Sequence, residues 1–314
     1  MAILDCHVHS WRYPEHFNVA AVRRGLPPAQ RDTSDEEIKK QRDLPVETAL
    51  KVMERGGVDK SLIVGLKSYD TLGAEVPNEY LAEAVKPYPG KLYWAAAVVM
   101  TDPRAAMEVE HCIRDLGAVA LGEIGPGYAH YSINDPRCFP VYELARSYDI
   151  PMLIHAGVVA SRNAYAKHGD LLALDEVCVK FPELKIVLCH LGEPDYIEAI
   201  HLMSKHPNLY ADISGMPGRA GIGAAFGAPP VFFPYFHMDY PLLYYFTQTA
   251  RYGNKLLWAT DLFRADLELM KTSIEAFRTV SKRLEKQGMP KIPENLIENM
   301  LHENWKQVFT RIKA

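Results

Sequence analysis

Residues 2–9 read AILDCHVH, a short apolar run that ends in two histidines one residue apart. In a β-strand, successive side chains point to opposite faces, so His7 and His9 share a face while Val8 points away from it. Two imidazoles on one face can bind a single cation, but they can equally be two unrelated surface residues. The residues in the rest of the chain distinguish between these two interpretations.

Seven further apolar runs follow, separated by stretches with helical periodicity such as RAAMEVEHCIRDLG and DYIEAIHLMSKH. The seven runs are DKSLIVGL, KLYWAAAVV, AVALGEIG, IPMLIHAG, KIVLCHLG, NLYADISGM and KLLWATDLF. Continuous apolar strands that alternate with helices indicate a parallel sheet covered on both faces. Eight such units in 314 residues predict an α/β protein, a (β/α)₈ TIM barrel that forms a single domain over residues 1–314. The tail LIENMLHENWKQVFTRIKA predicts an extra C-terminal amphipathic helix.

Two connections are longer than the others. Residues 11 to about 44 follow the first strand, and residues 217 to about 240 follow the seventh. Long loops after barrel strands lie at the C-terminal face, where barrel active sites are built. These two are therefore candidate lids or subunit contacts.

The composition narrows the classes of binding partner that the protein can have. A net charge of −4 gives no electrostatic case for nucleic acid or an anionic membrane, and no apolar run reaches transmembrane length. The N-terminus does not resemble a signal peptide, because charged and imidazole residues interrupt its apolar stretch. The five cysteines are unclustered and odd in number, which predicts reduced thiols in a cytoplasmic protein.

Metal-binding residue types stand at the C-terminal ends of five predicted strands. In a barrel these ends converge on one site, so we predict a divalent metal site there. Each residue also has a simpler explanation: Asp261 could cap a helix that starts near Arg264, and Glu123 could pair with a cation on a neighbouring strand. The predicted set is His7, His9, Glu123, His155, His190 and Asp261.

Substrate-facing groups should come from the loops that follow these strands. An arginine near the metal would suit a carboxylate or phosphate, although a solvated surface arginine is the simpler alternative for each one. The candidates are Trp11, Tyr128, His130, Arg162, Arg219 and Arg264. Cys189 should point to the face opposite His190 and serve as a packed thiol.

Several motifs resemble the amidohydrolase superfamily, in particular its amidohydrolase-2 branch, which includes aminocarboxymuconate-semialdehyde decarboxylase. They are DCHVHSW, FPELKIVLCHLGEP, NLYADISG, LLWATDLF and LHENWKQVF. The resemblance implies a metal held by His7, His9, His155 and Asp261, with His190 beside the reacting water. It also implies a homodimer or higher oligomer.

One motif departs from the decarboxylase pattern. The segment GEIG is similar to TatD-like hydrolases, in which the glutamate bridges two metals and the histidine of the sixth strand becomes a ligand. Glu123 therefore favours a hydrolase, whereas the long loops are unlike the compact TatD-like chains.

We hypothesise a hydrolase that cleaves an amide, ester or lactone bond of a small anionic metabolite. One or two divalent ions would serve it, Zn²⁺ first, with Mn²⁺, Co²⁺ or Fe²⁺ as alternatives. Asp261 would shuttle a proton to the leaving group, and His190 would polarise the scissile carbonyl or hold a second metal. The alternatives are a metal-dependent decarboxylase of an aromatic or muconate-type acid and a non-catalytic metabolite-binding barrel.

Overall fold

The computed structural model describes residues 1–26, 30, 32–159, 161, 163–215, 238–248 and 253–313. Eight parallel strands form one sheet in chain order, with each strand beside its sequence neighbours. All eight predicted runs contribute a strand. The strands are β1 Leu4–His9, β2 Lys60–Val64, β3 Leu92–Ala96, β4 Ala120–Ile124, β5 Met152–Ile154, β6 Ile186–Leu188, β7 Leu209–Asp212 and β8 Leu256–Leu257.

The first strand and the segment after the last one close the sheet into a barrel. The His9 amide donates to the Leu262 carbonyl at 2.9 Å, and the Asp261 amide donates to the His7 carbonyl at 3.0 Å. Val8 and Leu262 thereby form a parallel bridge. The architecture is the predicted (β/α)₈ barrel.

Helices cover the outside of the barrel. They are α1 Val19–Gly25, α2 Asp35–Arg42, α3 Val46–Gly56, α4 Asn78–Val85, α5 Ala105–Arg114, α6 Pro126–Ala129, α7 Phe139–Ser147, α8 Leu171–Lys180, α9 Tyr196–Lys205, α10 Asp239–Gln248, α11 Leu269–Arg278, α12 Val280–Lys286, α13 Glu294–His302 and α14 Asn304–Val308. A short hairpin of residues 67–68 and 74–75 follows β2. No helix within these described ranges is long and apolar enough to cross a bilayer.

The connection after β1 is long, as predicted, and contains α1 and α2. A capping box starts α2, since the Ser34 hydroxyl accepts from the Glu37 amide while the Glu37 carboxylate accepts from the Ser34 amide. Much of the predicted long loop after the seventh strand, residues 216–237, lies outside the described residues.

The C-terminal tail forms two helices instead of the single one expected. The helical conformation is interrupted at Glu303. The Asn304 side-chain amide donates to the Leu256 carbonyl of β8 at 2.8 Å. This turn brings Trp305 and Phe309 against the inward-facing side chains Leu4 and Leu257. The tail thus closes one end of the barrel, and the polar residues lie at the opposite, C-terminal end of the strands.

Candidate metal centre

Strand β1 brings both of its histidines into one cluster. One extra residue in β1 between Asp5 and Val8 shifts its register against β2. Cys6 packs inside the barrel and Val8 packs outside it, among the helices. The rings of His7 and His9 lie 5.3 Å apart, so the shared face predicted from their spacing is observed.

Glu123 at the end of β4 lies at the centre of the cluster, and its side chain is almost fully buried. The preceding residue must be small: a Cβ on Gly122 would lie 2.7 Å from Leu153 Cβ on the adjacent strand β5. Gly122 also has a φ of +142°, which L side chains rarely adopt. This close packing of β4 against β5 fixes where the carboxylate points.

One carboxylate oxygen of Glu123 faces the histidines of β1. Its Oε2 lies 3.7 Å from His7 Nε2 and 3.5 Å from His9 Nε2. Asp261 Oδ1 lies 3.9 Å and 3.4 Å from the same two nitrogens. We call His7, His9, Asp261 and Glu123 Oε2 the first donor set.

The other oxygen of Glu123 faces the histidines of the next strands. His155 Nδ1 lies 2.7 Å from Glu123 Oε1, and His190 Nε2 lies 3.6 Å from it. The Tyr128 hydroxyl lies 3.2 Å from the same oxygen and 2.9 Å from His155 Nδ1. We call His155, His190 and Glu123 Oε1 the second donor set.

Glu123 is a carboxylate in this environment. Burial by itself would raise its pKa, but the His155 imidazole at hydrogen-bond distance and the nearby imidazoles of His190, His7 and His9 outweigh burial and hold the pKa well below its usual range. A buried carboxylate has to be paired with a positive group or to coordinate a metal ion, and the imidazole nitrogens around Glu123 are themselves metal ligands.

Two residues, one at the end of β7 and one in the turn that follows, contact the Nδ1 atoms of His7 and His190 and thereby orient these rings. Asp212 Oδ2 lies 3.1 Å from His7 Nδ1, and the Ser214 hydroxyl lies 2.7 Å from His190 Nδ1. Burial would raise the pKa of Asp212, but the charge and hydrogen bond of His7 outweigh it and hold the pKa at about 2. These contacts leave the Nε2 atom of each ring turned toward Glu123.

The donors fit a divalent ion. His7 Nε2 is buried and has no hydrogen-bond partner among the described residues. Its distances of 3.7 and 3.9 Å to Glu123 and Asp261 exceed a hydrogen bond and are a few tenths of an ångström longer than the separation of two ligands on one ion, so a small inward movement of the side chains would complete the site. Three groups of donor atoms lie close enough to bind one ion: His7, His9 and Asp261; His7, Glu123 and His190; and His7, Cys189 and Asp212.

Two of the predicted substrate-facing residues reach this cluster. The Trp11 ring stacks on His9 with 4.9 Å between centroids, and Tyr128 contacts Glu123 and His155. His130 is exposed, and its ring contacts in the described structure are to Tyr165 and His168. Arg264 is exposed beside the ring of Phe263. The other two candidates, Arg162 and Arg219, lie outside the described residues.

The sequence interpretation missed Asp212 and Ser214. The motif NLYADISG already places Asp212 at the end of an apolar run, which is the same signal that identified the other strand ends. It also did not single out Arg42 at the end of α2, because nothing in the sequence shows that the chain after this helix pairs with Trp11.

The structure corrects the expected orientation of Cys189. Strand β6 ends at Leu188, and His190 and Leu191 adopt left-handed φ values of 55° and 50°. Strand alternation therefore stops before His190. Cys189 packs inside the barrel and lies within metal-ligand range of His7 and Asp212. It is fully buried, as expected of a packed thiol.

The fold and the cluster define a (β/α)₈ barrel with a candidate metal centre at the C-terminal ends of its strands. Residues 4–309 match the amidohydrolase family model of the amidohydrolase-2 branch. The chain belongs to this family. The resemblance noted from its motifs is thereby confirmed.

Two relatives are similar to this chain in sequence, and one solved structure is similar to it in fold. A 2-keto-4-carboxy-3-hexenedioate hydratase from Sphingobium sp. is 25% identical over 61% of this chain and 66% of its own length. A gamma-resorcylate decarboxylase from Polaromonas sp. is 29% identical over 37% of this chain and 43% of its own length. The aligned parts thus span less than two thirds of either relative.

A dihydroxybenzoic acid decarboxylase from Polaromonas sp. JS666, solved with bound manganese, superimposes with a TM-score of 0.66 at 16% identity. The alignment covers 100% of this chain and 98% of that one. At this identity the likeness supports the fold alone.

Proposed function

We propose that this protein is a metal-dependent hydrolase with a two-ion centre bridged by Glu123. The observation that carries the proposal is the division of one buried carboxylate between two donor sets. Glu123 Oε2 faces His7 and His9, while Glu123 Oε1 faces His155 and His190. A site for a single ion needs only one of these sets.

His7, His9 and Asp261 would hold the first ion, and His155 and His190 the second. Imidazole and carboxylate donors suit Zn²⁺, and Mn²⁺, Co²⁺ and Fe²⁺ are compatible with the same set. Such a centre supplies Lewis acidity and makes water nucleophilic near neutral pH.

Asp261 is placed to move the proton. Its side chain is 19% exposed, whereas that of Glu123 is 2% exposed, so Asp261 is the carboxylate that substrate can reach. Its Oδ1 lies 3.4 Å from His9 Nε2, and Glu123 Oε2 lies 3.5 Å from the same nitrogen. We assign it the transfer of a proton from the attacking water to the leaving group.

Two arginines lie on segments that flank the site and would favour an anionic substrate. Trp11 pairs with Leu44 in an antiparallel bridge, which brings Arg42 beside the residues that follow His9. The pairing of Val8 with Leu262 brings Arg264 along the other side of the same segment. Burial lowers the pKa of Arg42, and the nearby charge of Arg264 lowers it further.

Neither guanidinium has an acidic partner among the described residues. Arg42 instead lies 5.9 Å from the ring of Phe17, which in turn contacts Trp11. Two guanidinium groups on segments that pair with the residues around His9 support a substrate with a carboxylate or phosphate group.

Decarboxylation of a carboxylic acid is the second candidate. It is favoured by the gamma-resorcylate decarboxylase relative and by the same pair of arginines. In that reaction His190 and Asp261 would manage protonation of the carbon that loses carbon dioxide.

Elemental analysis of the purified wild type beside Glu123→Gln tests the proposal, with Glu183→Gln as a control for an exposed glutamate that pairs with Arg146. We expect two ions per chain in the wild type and in the control, and one in Glu123→Gln. One ion in all three proteins would overturn the two-ion centre.

The reaction class needs a separate measurement. The metal-loaded protein is assayed against lactones, esters and amides that carry a carboxylate, with pH-stat detection of released acid. Carbon dioxide release from hydroxybenzoates is measured in parallel. Hydrolysis without carbon dioxide release supports the proposal, and the reverse result establishes the second candidate.

A further inference from the structure

Tyr128 is the one phenol among the described residues that touches the second donor set. It lies on α6, directly after β4, and the residue is 93% shielded from solvent. The residue at position 125 has to be glycine, because a Cβ there would lie 1.8 Å from the Tyr128 ring. The ring is therefore packed tightly in place, with 4.9 Å between its centroid and that of His155.

The hydroxyl oxygen of Tyr128 forms a compact triangle with two donor atoms. It lies 2.9 Å from His155 Nδ1 and 3.2 Å from Glu123 Oε1, and those two atoms are 2.7 Å apart. Nitrogen and oxygen ligands bind Zn²⁺ at about 2.0–2.2 Å, which places neighbouring ligands roughly 3 to 3.5 Å apart. Two sides of the triangle are shorter than this spacing, so it has to open by a few tenths of an ångström to admit an ion, and an ion held by His155 and Glu123 would then be within reach of the phenol oxygen.

We propose that Tyr128 is a protein ligand of the second ion, alongside His155 Nδ1, His190 Nε2 and Glu123 Oε1. This inference rests on the two-ion centre proposed above. Ligation forms a bond between the phenol oxygen and the ion, and the hydroxyl proton leaves to solvent. The second ion then has four protein donors, whereas the two histidines and Glu123 alone provide three.

The rival role for Tyr128 is a hydrogen bond to Glu123 that orients the carboxylate without touching the ion. The two roles differ spectroscopically. A tyrosinate bound to Fe³⁺ produces a visible charge-transfer band, whereas a tyrosine that donates to a carboxylate produces none.

The test compares the wild type with Tyr128→Phe and Tyr131→Phe. Tyr131 is the matched control: it is three residues further on, equally buried, and its hydroxyl has no hydrogen-bond partner among the described residues. Apo protein is titrated with Zn²⁺ by calorimetry, and each variant is separately loaded with iron, oxidised, and examined by visible and resonance Raman spectroscopy.

We expect Tyr128→Phe to weaken the second ion about 10- to 100-fold and to leave the first unchanged. The tyrosinate band should be present in the wild type and in Tyr131→Phe, and absent from Tyr128→Phe. Two ions of wild-type affinity in Tyr128→Phe, or no tyrosinate band in the wild type, would overturn the role of Tyr128 alone. A wild type that binds one ion would overturn the two-ion centre itself and Tyr128 ligation with it.

Discussion

Asp212 Oδ2 lies 3.1 Å from His7 Nδ1, on the side of the ring opposite the nitrogen that faces Glu123. The other oxygen of Asp212 accepts from the amides of His190 and Ser214 at 3.0 and 2.9 Å. Asp212 therefore keeps the His7 proton on Nδ1 and leaves Nε2 free to bind an ion.

Asp212→Asn should weaken metal binding more than its small change in shape suggests. The backbone amides would hold the asparagine oxygen, which places its NH₂ group against His7 Nδ1. The His7 proton then moves to Nε2, the atom that must bind the ion. We expect the affinity of the first ion to fall about 10- to 100-fold in a calorimetric titration. An affinity equal to that of the wild type would refute this role of Asp212.

Asp261→Asn should separate metal binding from turnover. The amide oxygen keeps one ligand atom in place, while the group can no longer accept a proton. We expect metal content close to that of the wild type and a fall in kcat of about 10²- to 10⁴-fold. Metal content is measured on the same preparation as the rate, because loss of both together would make Asp261 a ligand without a proton-transfer role.

Replacing both Arg42 and Arg264 with glutamine should weaken anionic ligands selectively. Loss of a hydrogen bond to a charged group costs about 1.5–3 kcal/mol, roughly 10- to 100-fold in binding. The readout is the inhibition constant of phthalate against hydrolysis of an uncharged ester. Arg24→Gln changes an exposed arginine in the same connection and should have no effect. Equal phthalate inhibition in the double variant and the wild type would remove the anionic preference.

The eight strands and the candidate metal-binding residues at their ends were predictable from the sequence because each depends on local pattern. Apolar runs mark the strands, and parallel strands in a barrel bring their C-terminal ends together. His7, His9 and Glu123 could therefore be assigned to one site before any contact was known.

The paths of the connections between the strands were not predictable. The pairing of Leu44 with Trp11 and the position of Arg42 beside Phe17 depend on how the connection after β1 folds back, and its sequence is compatible with many paths. The inward position of Cys189 depends on the left-handed backbone at His190. No periodicity in the sequence encodes either feature.

The contribution of Asp175 to the stability of the protein should be lost in acid. It accepts hydrogen bonds from Lys205 and His206, and these bonds lower its pKa below the ordinary value. A depressed pKa in the folded state contributes stability above the unfolded-state pKa of about 3.9, and this contribution is lost as pH falls through the folded-state value. In urea unfolding of the metal-free protein, Asp175→Asn should be less stable than the wild type at pH about 7. The gap should narrow toward pH about 3. A gap that stays constant with pH would show that Asp175 contributes through packing alone.

Gly122→Ala should destroy the metal centre, and Gly288→Ala provides the matched comparison. Both glycines have positive φ, but a Cβ on Gly288 meets no atom within 4 Å, whereas a Cβ on Gly122 would overlap Leu153. Backbone strain alone costs about 1–3 kcal/mol, so Gly288→Ala should lower thermal stability modestly and leave metal content intact. Gly122→Ala carries that strain and also pushes β4 away from β5, which displaces Glu123 from between the two donor sets. Circular dichroism identifies the Gly122→Ala protein that remains folded. We expect elemental analysis of that protein to show the loss of at least one ion per chain. Full metal content in folded Gly122→Ala would show that the β4–β5 packing does not position Glu123.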